Sequence, residues 1–555
     1  MPSLRIALAQ IDTTVGDLTN NAAAIQQWCR QAGDLGADVA VFPEMALTGY
    51  PIEDLALRRS FQRSAAMAAD ELAHSLAING LGELVVIVGS IGPAAPNDTK
   101  TLSRPSNRAL VLHQGRVIAA YDKHHLPNYG VFDEFRIFAP GSTPTIVEVR
   151  ERRLGLAICE DIWQDGGTTQ ALSTEAIDAL VVLNGSPYEQ GKGHTRTELV
   201  RQRARQLSAP VCYVNLVGGQ DDLVFDGGSF VVDAAGTELL RLPQFVEGLD
   251  VVDLPEAGSQ PKPGRIAPPL STAEEVYRAA TLGLQDYARK TGFTSVVLGL
   301  SGGIDSALVA AMAADALGGE NVVGVSMPSD YSSQHSKDDA ADLAARIDAD
   351  YRVVPIAPMV QSFHDQLTLE GVAAENLQAR VRGMVLMSLS NAEGHLCLAT
   401  GNKSELAAGY STIYGDAVGG YAPLKDIDKS LVWELARWRN NDAIDRGQIP
   451  PIPENSITKP PSAELRPGQV DQDSLPPYHV LDEVLGAYIE HAEGRAELLQ
   501  RGFDPEIVDK VVTLVDRAEW KRRQYPLGPK VTALAFGRDR RLPITSRWRE
   551  PRSMT

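Results

Sequence analysis

Three residues of this 555-residue chain have the side chains needed to open an amide: Cys159 in AICED, Glu44 in VFPEM and Lys123 in YDKHH. Cleaving a carboxamide takes a nucleophile, a group that shuttles its proton and a group that holds the developing oxyanion. A thiol, a carboxylate and an ammonium can fill those roles in that order. Each residue comes where an apolar run ends, and α/β sites are built at strand ends. Taken singly, each has a plainer reading, as a packed thiol or a solvated charge; it is their local context that favours chemistry.

A second constellation lies in residues 296–307, VVLGLSGGIDSA, which read as strand, glycine turn and helix start. Backbone amides at such a start point towards an anion, and the helix dipole adds to their pull. The Gly-Lys-Ser/Thr ending of a Walker loop is missing, and so is the GxGxxG spacing of a dinucleotide fingerprint.

These residues must be carried by buried strands. Residues 38–42, 84–88, 154–158 and 179–183 are short apolar runs bounded by turn signals, the pattern of strands covered on both faces. Residues 295–300 and 321–326 flank an alanine-rich helix expected over 306–317, a βαβ unit that implies a parallel sheet. Cys29, in a helix expected over 21–31, and Cys212, in an expected strand, read as packing residues.

A chain of this length exceeds one hydrophobic core. Residues 255–269 hold five prolines and two glycines, a semi-rigid linker composition. Domains are therefore expected over 1–254 and 273–555, joined by a linker over 255–272. Residues 447–478 carry eight prolines with little periodicity, and a loop of that length suits function or disorder.

Hydrophobic residues make up 44% of the chain and charged residues 22%, as in ordinary globular proteins. No run approaches the ~20 apolar residues of a spanning helix. The first ten residues read as a strand, so a cytoplasmic protein with no membrane partner is expected. Four dispersed cysteines form no CxxC pair, which gives no sign of a zinc site or a disulfide framework. A net charge of -19 disfavours a nucleic-acid partner and leaves small-molecule substrates, including nucleotides carried with Mg²⁺.

PEM at 43–45, KHHLPNYGVFDE at 123–134 and CEDIW at 159–163 resemble the nitrilase/amidase superfamily across about residues 1–255. The resemblance implies an α-β-β-α sandwich, with Cys159 as nucleophile, Glu44 as general base and Lys123 stabilising the tetrahedral intermediate. It also implies that Glu134 helps position substrate. The glutaminase members further imply glutamine contacts from Tyr129, Ser186 and Lys192. Residues 215–230, NLVGGQDDLVFDGGSF, resemble the glutaminase domain of NAD synthetases.

SGGIDS at 301–306 resembles the PP-loop of ATP pyrophosphatases, which implies a parallel-sheet second domain of α/β class. ATP would then be held by Gly299, Leu300, Ser301, Gly302, Gly303, Ile304, Asp305 and Ser306, with Asp305 as a Mg²⁺ ligand. LATGNKSELAAGY at 398–410 resembles an NAD synthetase motif, which implies Thr400 on ATP and Glu405 on the metal or the dinucleotide. ENLQARVR at 375–382, GGYAPLK at 419–425 with Asp426, and WKRRQ at 520–524 resemble the same family and imply dinucleotide contacts at Asn376, Arg382, Asp426 and Lys521.

The two resemblances together follow the domain order of the glutamine-dependent NAD synthetases. They imply a homo-oligomeric ligase that takes glutamine, ATP and deamido-NAD as substrates and Mg²⁺ as cofactor. Ammonia freed in the first half would displace AMP from an adenylate made in the second. A PP-loop amidotransferase with another acceptor, an amidase with a nucleotide-sensing second half, and a tRNA-modifying PP-loop protein are the other readings.

Overall fold

Strand Leu4–Gln10 divides its apolar residues by parity: Leu4, Ile6 and Leu8 enter one buried cluster, while Ala7 and Ala9 enter another. Side chains alternate along a strand, so this one is covered on both faces. The computed structural model describes residues 3–93, 104–254, 263–466 and 468–551. By contacts the chain divides into two units between Leu270 and Ser271, with Asp221–Leu223 grouped with the second.

The first unit holds two six-stranded sheets. In one, the strand order is Gly248–Leu254, Leu4–Gln10, Val39–Val41, Val85–Gly92, Ser106–His113 and Arg116–Asp122. In the other it is Glu238–Arg241, Phe230–Val232, Val211–Asn215, Ala179–Asn184, Arg152–Ile158 and Ile146–Val149. Val41, Ile87 and Val111 of the first sheet share a core with Leu156, Val181 and Val214 of the second. Helices Leu18–Asp34 and Arg59–Leu76 pack outside the first sheet, and Lys192–Leu207 packs outside the second. This is an α-β-β-α sandwich.

One polar residue ends strand Leu4–Gln10 inside this apolar setting. Gln10 is fully buried, and its Nε2 donates to the carbonyls of Pro243 at 2.7 Å and Val246 at 2.8 Å. Its Oε1 accepts from the Ser229 amide at 3.0 Å.

Of the expected linker, residues 255–262 lie outside the described residues. Beyond them the Gly264 amide donates to Leu239 at 2.7 Å, and the Arg241 amide donates to Arg265 at 3.0 Å. This proline-rich stretch is thus tied to the edge of the second sheet. Helix Thr272–Thr291 then begins on a Ser271 cap, whose side chain accepts from the Glu274 amide.

The second unit is built on four parallel strands in the order Asp350–Val353, Val322–Ser326, Val296–Gly299 and Leu396–Cys397. From Val296–Gly299 the chain adds two strands on one side, then returns to add Leu396–Cys397 on the other. The strand order therefore reverses beside Gly299, and α/β sheets bind ligands at the carboxyl ends of strands at such a point. Helix Ile304–Leu317 follows, beginning slightly earlier than its sequence pattern suggests. Helices Lys403–Ala408, Tyr478–Leu485 and Pro505–Arg517 share a further apolar cluster. Among the described residues of 447–478, the elements before Tyr478 are the short helices Glu454–Thr458 and Asp471–Asp473. Among the described residues no helix is long and apolar enough to cross a membrane.

Candidate active sites

In the first unit Glu44 follows strand Val39–Val41, Lys123 follows Arg116–Asp122 and Cys159 follows Arg152–Ile158. All three are buried, and so is Glu134, the first residue of helix Glu134–Ile137. Lys123 Nζ donates to Glu44 Oε1 at 2.8 Å, to Glu134 Oε2 at 2.8 Å and to Glu134 Oε1 at 3.0 Å. Burial works against an ammonium here, but Glu134 and Glu44 outweigh it and hold Lys123 well above the usual lysine range. Burial also pushes the Glu134 carboxyl up, and Lys123 opposes the shift.

Cys159 opens the 3₁₀ turn Cys159–Ile162 with φ of 42°. This left-handed backbone costs a non-glycine residue roughly 1–2 kcal/mol and needs support from its surroundings. Burial raises the thiol well above the usual cysteine range, Glu44 raises it further and Lys123 opposes them. A thiol held up in this way stays protonated, and to act as a nucleophile it would need a base, because the thiolate is the reactive form.

The expected glutamine contacts gather round this centre. Tyr129 is exposed, and its hydroxyl donates to Glu160 Oε2, beside Cys159, at 2.9 Å. Phe132 stands edge-on to Tyr129 at 5.5 Å, and the Lys192 ammonium lies 6.0 Å from the Phe132 ring centre. Ser186 is buried next to Gly185, whose amide donates to Glu44 Oε2 at 2.7 Å.

Several site residues carry no motif that sequence reading could use. Asn107 Nδ2 donates to Glu44 Oε1 at 2.6 Å, and the Tyr50 hydroxyl donates to Glu134 Oε1 at 2.9 Å. Arg196 is buried and spends its guanidinium on Asp226, on the Ser186 and Pro187 carbonyls and on Ser186 Oγ. The loop bearing Ser186 is fixed by that fork.

In the second unit the turn after strand Val296–Gly299 borders a cavity of about 650 Å³. Gly299, Leu300, Ser301, Gly303, Ile304, Asp305 and Ser306 line it, as do Thr400 and Glu405. Asn376, Arg382 and Lys521 line it too. Two expected residues are not among the lining. Gly302 supports the turn from behind: its φ is 75°, and a Cβ there would stand 2.3 Å from the Ser336 carbonyl oxygen. Asp426 is buried elsewhere, accepting from the Val531 and Thr532 amides at 2.8 Å each and pairing with Lys403 at 3.0 Å.

Ser301 Oγ and Ser306 Oγ lie 3.1 Å apart, and the Gly303 amide donates to Ser301 Oγ at 3.2 Å. Asp305 accepts from Asn402 Nδ2 at 2.9 Å and from the buried Lys429 ammonium, which lies 3.7 Å from Glu405 Oε1. Burial and the neighbouring Asp305 push Glu405 up to about 8, against the pull of Lys429. Lys429 also borders the cavity. The quoted motif and its neighbour end at Asp426, three residues before Lys429.

Residues 5–263 match the carbon-nitrogen hydrolase family, and residues 276–525 match the NAD synthase family. The glutamine-dependent NAD(+) synthetase of Acinetobacter baylyi is 43% identical over 555 residues, covering 99% of each chain. The chain belongs to the glutamine-dependent NAD(+) synthetase family. The synthetase of Thermotoga maritima is 42% identical, covering 99% of this chain and 100% of its own. The solved glutamine-dependent NAD+ synthetase of Acinetobacter baumannii, in complex with ADP, has a TM-score of 0.77 at 41% identity, covering 99% of this chain and 100% of its own. The synthetase structure from Cytophaga hutchinsonii, at 22% identity and a TM-score of 0.81, shares the fold.

Proposed function

We propose that the chain converts deamido-NAD to NAD with ammonia taken from glutamine, at Cys159 in the first unit and at the 299–306 turn in the second. The observation that carries this reading is the buried cluster in which one ammonium, Lys123, holds Glu44 and Glu134 where a neutral Cys159 thiol needs a base. Family membership supports the overall reaction.

Cys159 Sγ attacks the glutamine carboxamide while Glu44 takes the thiol proton and delivers it to the departing ammonia. Lys123 stabilises the tetrahedral oxyanion. Water, deprotonated by Glu44, then opens the thioester to glutamate. In the second unit the nicotinate carboxylate attacks the α-phosphorus of ATP and pyrophosphate leaves. Ser301, Ser306 and the amides at the start of helix Ile304–Leu317 neutralise it. Ammonia attacks the acyl-adenylate and AMP departs.

Asp305 and Glu405 suit Mg²⁺, which binds through one or two carboxylates plus substrate phosphates. Their mutual repulsion supports the assignment, since a dication would relieve it. Bound there, Mg²⁺ would offset the charge that develops on the phosphates. Thr400 is assigned to ATP, and Asn376, Arg382 and Lys521 to the dinucleotide, because all four border the cavity. Asp426 is assigned instead to holding the 531–532 backbone. A homo-oligomer working in the cytoplasm completes the reading; four buried, free cysteines suit a reducing compartment.

The test is Cys159→Ala. Glutamine-driven synthesis should disappear, while synthesis from ammonium salts, ATP and deamido-NAD continues. Loss of both activities in a folded variant would contradict the division of labour.

A further inference from the structure

Two strands carry two of the reacting groups, and their ends meet on one carboxylate that touches neither group. Asp161 is fully buried. Its Oδ1 accepts from the backbone amides of His124 at 3.0 Å and His125 at 2.9 Å, the residues that follow Lys123. Its Oδ2 accepts from the Ile158 amide at 2.9 Å, immediately before Cys159, and from the Tyr121 hydroxyl at 2.7 Å. Tyr121 OH is also 2.6 Å from Thr168 Oγ1.

We infer that Asp161 is a positioning residue for the glutaminase reaction, one carboxylate whose two oxygens fix the Lys123 backbone relative to the Cys159 backbone. This rests on the reading of Cys159 as the glutaminase nucleophile. Four donors converge on it, and a carboxylate is the side chain that accepts on both oxygens and donates on neither. An amide of the same shape keeps one accepting end and turns an NH₂ group towards donors on the other. Either the lysine side or the cysteine side is then released. The left-handed backbone of Cys159 makes that side sensitive, because such a conformation persists only where its surroundings over-determine it.

The experiment is steady-state glutamine hydrolysis by the full-length protein carrying Asp161→Asn, with ammonium-driven NAD synthesis measured on the same preparation. A loosened nucleophile and lysine should lower kcat about tenfold or more. The KM for glutamine should stay within about twofold, because the substrate contacts are elsewhere. Ammonium-driven synthesis should match the wild type. Asp161→Ala, which removes both acceptors, should fall further than Asp161→Asn.

Unchanged kcat in Asp161→Asn overturns the inference. So does a parallel fall of both activities, which would mark a general structural role. If Asp161→Asn does not fold, Tyr121→Phe carries the test by removing only the hydroxyl on Oδ2. It should lower kcat about threefold at constant KM, and unchanged kcat there overturns the inference. A wild-type protein that hydrolyses no glutamine would instead defeat the glutaminase reading itself.

Discussion

The amide of Gly185, just after a strand of one sheet of the sandwich, donates to Glu44 Oε2 at 2.7 Å, although Glu44 follows a strand of the other sheet. Lys123 and Asn107 hold the second oxygen, Oε1. Glu44 therefore has both oxygens oriented before substrate arrives, as the general base proposed above requires.

Replacing Glu44 by Gln keeps the shape and removes the base. Glutamine hydrolysis should fall by about 10²–10⁴ in kcat, the usual worth of general-base catalysis. Ammonium-driven synthesis should be spared. A glutaminase assay that finds less than a tenfold loss would assign the proton to another group.

Gly302→Ala addresses the second site. The left-handed φ disfavours alanine, and the new methyl would meet a backbone carbonyl of Ser336, which cannot swing aside as a side chain can. The turn must shift by a few tenths of an ångström or more, and the amides of 299–306 with it. Ammonium-driven synthesis should drop at least about tenfold with a raised KM for ATP, while glutamine hydrolysis continues. Equal kinetics in mutant and wild type would show that the turn tolerates a side chain.

Glu405 gives a pH signature. Its carboxyl is raised from 4.5 to about 8 in the folded protein. The folded state binds this proton more tightly than the unfolded chain. The resulting stability is complete below the unfolded value and is lost as pH rises through about 8. Without ligands, the wild type should therefore lose thermal stability as pH rises from about 4.5 to about 8, and Glu405→Gln should flatten that loss. Binding Mg-ATP near neutral pH should expel a proton, because a dication favours the ionised form. Calorimetry in buffers of different ionisation enthalpy would measure that release, which Glu405→Gln should abolish.

Lys429→Met removes the ammonium shared by Asp305 and Glu405. Uncompensated buried charge costs about 3–5 kcal/mol, and protonation of Glu405 would recover part of it. The variant should melt lower than wild type, most clearly at high pH, and should make little NAD from ammonium. A variant as stable as the wild type would show that the pair contributes nothing to the fold.

Much of this was legible in sequence because it is written in residue types at short range. The apolar runs ending in Glu44, Lys123 and Cys159 are strands, and SGGIDS is a turn into a helix. What was not legible is long-range and often carried by backbone. Gly185 acts through an amide that every residue but proline has, and Asn107 reaches Glu44 across 63 positions. Asp426 illustrates the converse. A carboxylate beside a family motif reads as a ligand contact, yet this one spends its oxygens on the chain at 531–532. Residue type alone does not separate a buried acceptor of that kind from a group that meets substrate.

The buried amide at the end of strand Leu4–Gln10 has a bearing on how the sandwich assembles. With apolar layers above and below, sliding this strand by one residue would exchange one dry neighbour for another, so oiliness alone barely penalises misalignment. Gln10 supplies the missing penalty: its carboxamide meets three matching backbone groups in the native alignment only. A chain with leucine there would keep its greasy pattern and lose its ruler, and mispaired sheets would become competitors of the native one.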